Sequence, residues 1–109
     1  MSATQFAAEV RREDGVAVLE LSGDVSAAAE NGLMGAYAEV AAEPVVVLDF
    51  GAVDYINSTG IALIVGVLAQ ARTSGQEVRA RGLAEHYREI FRITRLSDFM
   101  TILDEEGTE

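Results

Sequence analysis

Residues 53–67 read Val-Asp-Tyr-Ile-Asn-Ser-Thr-Gly-Ile-Ala-Leu-Ile-Val-Gly-Val, and this stretch decides how the chain folds. The preceding residues 45–50 are apolar except for one aspartate, which is typical of a strand covered on both faces. An apolar helix is predicted from about residue 58 to about residue 73. The hydroxyl pair Ser58 and Thr59 therefore lies where a strand passes into a helix N-terminus, which has unpaired N–H groups and a partial positive charge. A phosphoryl group placed there would meet a favourable field and change the surface charge.

The rest of the chain alternates strand and helix signals. Strands are predicted at residues 6–12, 16–21, 45–50, 77–81 and 100–103, with Asp14-Gly15 as the turn of an initial hairpin. The predicted order β-β-α-β-α-β-α-β favours an α/β fold, in which a mixed, mostly parallel sheet of about four or five strands carries the helices. We expect a single domain over residues 1–109, with a core at about 4–104 and an acidic tail at 104–109.

Several apolar positions are predicted to face the core. They are Phe6, Ala8 and Val10 in the first strand, Leu33, Tyr37, Val40 and Ala41 in the first helix, and Leu83, Tyr87, Ile90 and Phe91 in the third, which should start near Leu83. The central helix is apolar in so many directions that we expect it to be buried on most sides. The alternative is that the side nearest Gly60 leaves an apolar strip for a partner.

Composition excludes several classes of function. Eighteen acidic residues face eight basic ones, giving a net charge of −10, and this balance argues against a nucleic-acid partner. All eight bases are arginine, so the phosphate loop that requires lysine is missing. No cysteine is present and His86 is the one histidine, so we expect neither a metal site nor a cofactor. The longest apolar run, residues 61–69, is too short to cross a bilayer, and no signal peptide is evident, so a cytoplasmic location is expected.

The candidate site residues each have two interpretations. Ser58 is a candidate phosphoacceptor, with Thr59 as the alternative acceptor, but Asn57 or Ser58 could also simply cap the helix. Gly60 would permit a close backbone approach. Upstream, Asp24 and Ser26 could line the same surface or only form a turn and helix cap. Tyr55, expected in a loop, could be an interface anchor or a half-buried core residue.

These residues resemble the STAS domain in the form of the bacterial anti-sigma factor antagonists. The family pattern Asp-Ser-Ser/Thr-Gly, which opens an apolar helix, corresponds to residues 57–60, and the upstream Gly-Glu-Leu-Asp corresponds to residues 23–26. The resemblance implies a protein that, when unphosphorylated, binds an anti-sigma factor with serine kinase activity. The kinase would phosphorylate Ser58 and release the partner, and a serine phosphatase would reset the switch. The implied partner-binding residues are Asp24, Ser26, Tyr55, Asn57, Ser58, Thr59 and Gly60.

The chain departs from the family pattern at two positions. The motif aspartate is replaced by Asn57 and the second upstream acid by Ser26, so the field around Ser58 is less negative. An alternative function is therefore a STAS interaction module without switching, such as a signalling scaffold or a transporter-associated subunit. An enzyme is not expected, because a Ser58–His86 pair lacks the Gly-x-Ser-x-Gly turn of a serine hydrolase. The sequence leaves the oligomeric state open.

Overall fold

A computed structural model describes residues 5–103, so the predicted acidic tail lies outside the described part of the chain. The strands are β1 (Ala7–Glu13), β2 (Val16–Val25), β3 (Val45–Ile56), β4 (Glu77–Arg81) and β5 (Thr101–Ile102). The helices are α1 (Glu30–Val40), α2 (Ser58–Ser74) and α3 (Glu85–Ile93). Short 3-10 turns occupy Ala27–Ala29 and Leu96–Asp98.

The five strands form one sheet whose spatial order follows the chain, β1-β2-β3-β4-β5. The β1–β2 hairpin is antiparallel, and every later neighbouring pair is parallel. Each crossover moves one strand in the same direction, and right-handed crossovers in one direction place all helices on one face of the sheet. The predicted mixed α/β sheet and its element order are confirmed.

One hydrophobic cluster joins that face to the helices. The sheet contributes alternate residues of its central strands, such as Leu19, Leu48 and Ala80, which align with each other across β2, β3 and β4. The helices contribute the buried side chains of Leu33, Tyr37 and Val40 from α1, Ile64, Val67 and Leu68 from α2, and Phe91 from α3.

The opposite face of the sheet carries charged side chains instead of helices. Val18 and Val47 lie side by side on this face and are almost fully buried, and they are flanked in register by Arg11 and Arg79. Long charged side chains can cover apolar surface with their aliphatic stems while their charged ends stay in water. Residues 46–48 and 50 are buried, so β3 is covered on both faces as expected, but helices cover only one of the two faces because the topology places all of them there.

Arg81 ties this charged face together. Its guanidinium donates hydrogen bonds of 2.9 Å to both carboxylate oxygens of Glu13 and one of 3.0 Å to Asp49 Oδ2. The hydrogen bond from Arg81 holds the pKa of Glu13 below its ordinary value, and the same carboxylate raises the pKa of Arg81. Three strands, β1, β3 and β4, are thereby linked through one side chain.

Several boundaries differ from the sequence-based expectations. β2 and β3 are longer than predicted because residues 22–25 keep pairing with residues 52–56. The third helix starts at Glu85 rather than near Leu83, although Leu83 is buried as expected. In β1, Val10 is exposed because that strand lies at the edge of the sheet. No helix within residues 5–103 has both the length and the apolar character needed to span a membrane.

Candidate functional site

The predicted site residues come together at the carboxyl ends of two neighbouring parallel strands. Asp24 of β2 aligns with Tyr55 of β3, and Val25 aligns with Ile56. Ser26 and Asn57 follow these strand ends directly. Crevices at the carboxyl ends of parallel strands are where α/β proteins commonly bind their ligands.

Asn57 is the residue that caps α2. Its backbone is extended, with φ −94° and ψ −177°, and its Oδ1 accepts a hydrogen bond of 2.8 Å from the Gly60 N–H. An asparagine cap of this kind satisfies one of the N–H groups that an α-helix leaves without a partner. Of the two residues predicted as possible caps, Asn57 is the cap, and Ser58 is the first residue of the helix. Ser58 and Thr59 are both exposed, so either hydroxyl is accessible from solvent.

Gly60 locks the start of α2 against the end of β2. It is buried, and a Cβ at this position would stand 2.0 Å from the Val25 carbonyl oxygen. The same oxygen accepts a hydrogen bond of 3.2 Å from Asn57 N. The close backbone approach expected of Gly60 is present, between the start of α2 and the Val25 carbonyl. Gly60 lies beneath the exposed residues Ser58 and Thr59 and has no side chain to present to a partner.

Three predicted site residues differ locally from expectation. Asp24 lies within β2 and caps no helix, because the strand continues through Val25. Ser26 holds the cap position of the 3-10 turn, but its side chain makes no capping hydrogen bond. Tyr55 lies in β3 rather than in a loop, and it is 53% exposed, so the core alternative is wrong for this tyrosine.

Sequence patterns missed one residue of the site. The hydroxyl oxygen of Tyr87 in α3 accepts a hydrogen bond of 3.0 Å from Ile56 N, immediately before the Asn57 cap. Tyr87 was expected only as an apolar core residue. No local signal could have identified this contact, because the partners are separated by 31 positions and meet only when α3 packs on the sheet.

The outer side of α2 is less buried than expected. Ala62, Val65 and Ala69 are exposed and follow Ser58 along one side of the helix. Farther along, Val65 and Ala69 line an open cavity of about 330 Å³ together with Phe99 and Arg72, and the Arg72 guanidinium lies 5.0 Å above the centre of the Phe99 ring. The expectation of burial on most sides is wrong, because the sheet covers only one side of α2.

His86 is exposed, and its ring packs edge-on against Tyr87 at a centroid distance of 5.0 Å. None of the hydrogen bonds among residues 5–103 joins His86 to Ser58. The same part of the chain contains no group of three or more side chains arranged to hold a metal ion.

Comparisons with known proteins point to one family. The family model described as "Mlab, STAS domain" matches residues 8–104. The solved anti-sigma factor antagonist from Mycobacterium paratuberculosis is 26% identical, with a TM-score of 0.71, and the match covers 90% of this chain and 85% of that one.

Two solved forms of SpoIIAA share the fold. The unphosphorylated form, described as an anti-sigma factor antagonist, is 14% identical with a TM-score of 0.69 and coverages of 92% and 88%. The Bacillus cell fate determinant SpoIIAA in its phosphorylated form is 16% identical, with the same TM-score and coverages of 92% and 94%.

Proposed function

The chain belongs to the STAS domain family, and from this premise we propose that it is an anti-sigma factor antagonist switched by phosphorylation of Ser58. It is a binding protein rather than an enzyme, and its role in transcription places it in the cytoplasm. Its partners are an anti-sigma factor with serine kinase activity and a serine phosphatase. The likeness to the antagonist from Mycobacterium paratuberculosis over most of both chains supports this role.

The exposure of Ser58 at the first residue of a capped helix carries the proposal. Because Asn57 supplies the cap, the Ser58 hydroxyl is not needed to hold the helix and can be modified without unfolding it. A phosphate there adds about −1.5 to −2 charges, and the helix N-terminus stabilises it by roughly 0.3–1 kcal/mol.

Release of the partner follows from the position of that charge. The surface around Ser58 also presents Asp24, Ser26, Tyr55 and Thr59, which the unmodified protein would dock against the kinase. When a phosphate is buried at a packed interface, desolvation and repulsion from partner acids exceed the small gain from the helix terminus. The phosphorylated protein therefore dissociates, and dephosphorylation restores binding.

The deciding measurement is the intact mass of the protein purified from its own host, with and without phosphatase treatment, followed by site mapping. We expect a phosphatase-sensitive gain of one phosphoryl group at Ser58. Ser58→Ala should abolish it, while Thr59→Ala, which removes the neighbouring exposed hydroxyl, should retain it. Label that persists in Ser58→Ala, or Ser58→Asp binding the anti-sigma factor as tightly as the unmodified protein, contradicts the proposal.

The second candidate is a STAS interaction module that binds without switching, as a scaffold or a transporter-associated subunit. The amide at position 57 favours it, because the Asn57 oxygen is engaged by Gly60 N and a neutral side chain stands where the family has a carboxylate. Stable partner binding with no modification of Ser58 under several growth and stress conditions would select this function.

A further inference from the structure

β3 extends well beyond its neighbour β4. The β3–β4 pairing ends at Asp49 and Arg81, whereas β3 continues beside β2 to Ile56. Residues 50–56 therefore have no strand on the side of β4. Backbone N–H groups that face away from a neighbouring strand need another acceptor, since an unpaired buried donor costs free energy.

Side chains supply acceptors at the two ends of this segment. Asp49 Oδ1 accepts a hydrogen bond of 2.9 Å from Gly51 N, and the Tyr87 hydroxyl accepts one of 3.0 Å from Ile56 N. The second contact lies at the last residue of β3, directly before Asn57. Ile56 itself is buried, with 4% of its surface exposed, so water does not freely replace the hydroxyl.

We infer that Tyr87 is a positioning residue for the Ser58 switch, an inference that rests on the proposed function. Its hydroxyl fixes the backbone of Ile56, and Val25 O fixes the next residue through Asn57 N at 3.2 Å. Asn57 Oδ1 then holds Gly60 N at 2.8 Å. Contacts from β2, α3 and the Asn57 cap thus hold the backbone on both sides of Ser58 and set where that residue lies on the surface.

The hydrogen bond from Ile56 N to the Tyr87 hydroxyl, here called the Tyr87 clamp, borders open space into which the β3–α2 connection at Asn57 can move if the clamp is removed. A cavity of about 110 Å³ lies beside the β3 end, lined by residues that include Val53, Ile56, Leu83 and Tyr87. The helix that carries Tyr87 is anchored on the sheet independently of the Tyr87 hydroxyl. Phe91 of α3 packs edge-on against Phe50 of β3, with ring centroids 6.2 Å apart. Removing only the Tyr87 hydroxyl should therefore loosen the backbone at Ile56 and Asn57 while leaving α3 in place.

Tyr87→Phe tests the clamp, and Tyr37→Phe is the matched control. Tyr37 also uses its hydroxyl, in a hydrogen bond of 2.7 Å to Gln76 Oε1, but Gln76 lies just before β4, at the amino ends of the parallel strands, whereas Ser58 follows the carboxyl end of β3. Amide hydrogen exchange is measured by NMR and referenced to Leu48 in the centre of β3. We expect exchange at Ile56 and Gly60 to become about fivefold faster in Tyr87→Phe and to stay unchanged in Tyr37→Phe.

Phosphorylation of the same variants tests the positioning role. A lysate of the source bacterium supplies the kinase, and labelled ATP supplies the phosphoryl group. The initial rate of labelling is measured at several concentrations of each variant. Because the exposed docking surface is unaltered, we expect Tyr87→Phe to keep the apparent KM and to lose about fivefold in apparent kcat, with Tyr37→Phe matching the unmodified chain.

Each outcome is decisive. Unchanged exchange at Ile56 and Gly60 in Tyr87→Phe overturns the clamp. Faster exchange with an unchanged apparent kcat overturns the positioning role, and a rise in KM alone assigns Tyr87 to docking instead. If the unmodified chain takes up no label at Ser58, the proposed switch itself fails and the positioning role fails with it, while the exchange data still decide the clamp.

Discussion

Replacing Gly60 with alanine should destabilise the protein by forcing α2 away from β2. The added Cβ would stand 2.0 Å from the Val25 oxygen and 2.7 Å from its carbonyl carbon, whereas real Cβ contacts essentially never fall below 3.0 Å. The start of the helix must therefore retreat by about 1 Å, the difference between these two distances. The conflict is with backbone, which cannot rotate aside as a flexible side chain would.

The magnitude follows from three contributions. Overpacking of this kind costs about 1–3 kcal/mol, and losing the hydrogen bond between Asn57 N and Val25 O adds about 1 kcal/mol. Alanine in place of glycine in a helix returns about 1 kcal/mol through its higher helix propensity. The net loss should be about 2 kcal/mol, which lowers the Tm by roughly 10 °C for a domain of this size.

Urea and thermal unfolding measure this loss, with Gly35→Ala as the control. Gly35 is an exposed residue inside α1, and a Cβ there would meet nothing within 4 Å. The same substitution at this position should raise the free energy of unfolding by about 0.5–1 kcal/mol. A Gly60→Ala protein that melts at or above the temperature of the unmodified chain would refute the packing argument.

Three further outcomes are expected. Asn57→Ala should lower the free energy of unfolding by about 1 kcal/mol through loss of the cap, whereas Asn57→Asp should retain it in denaturant titrations. Gln76→Leu should cost about 2 kcal/mol by calorimetry, because its buried amide bonds the Tyr37 hydroxyl and two backbone carbonyls; a loss below 0.5 kcal/mol would contradict that role. The lowered pKa of Glu13 means that its contribution to stability is present above its unfolded pKa, near 4.5, and is lost as the pH falls through the folded value. Acid unfolding curves should therefore lose part of their slope below that pH in Glu13→Gln, and identical slopes would show that the Arg81 pairing does not contribute.

Local patterns predicted the elements near the site well. The start of the helix at Ser58, its end near residue 73 and its cap could be predicted because capping and termination depend on a few consecutive residues. Gly75 adopts a left-handed conformation with φ 76°, as a helix-ending glycine should. The sequence predicted that either Asn57 or Ser58 caps the helix, and the structure shows that the cap is Asn57.

Strand lengths were harder to predict. Residues 22–25 contain Gly23 and Asp24, which resemble a turn, yet they continue β2 because β3 supplies their pairing partners. Tyr55 was expected in a loop, but it too lies in a strand because it pairs with Asp24 of β2. A strand end depends on whether a neighbouring strand is present, and short-range composition does not report that.

The sequence by itself determined the order of elements, the mixed and mostly parallel sheet, the motif that carries the family resemblance and the hydroxyl pair at a helix start, because periodicity and caps are local properties. Only the tertiary structure decided that Tyr87 reaches Ile56 across 31 positions and that Arg81 reaches Glu13 across 68. It also decided that the outer side of α2 stays uncovered. These contacts join groups that are distant in the chain, and they exist only because crossovers of one hand place all helices on one face and leave the other to charged side chains.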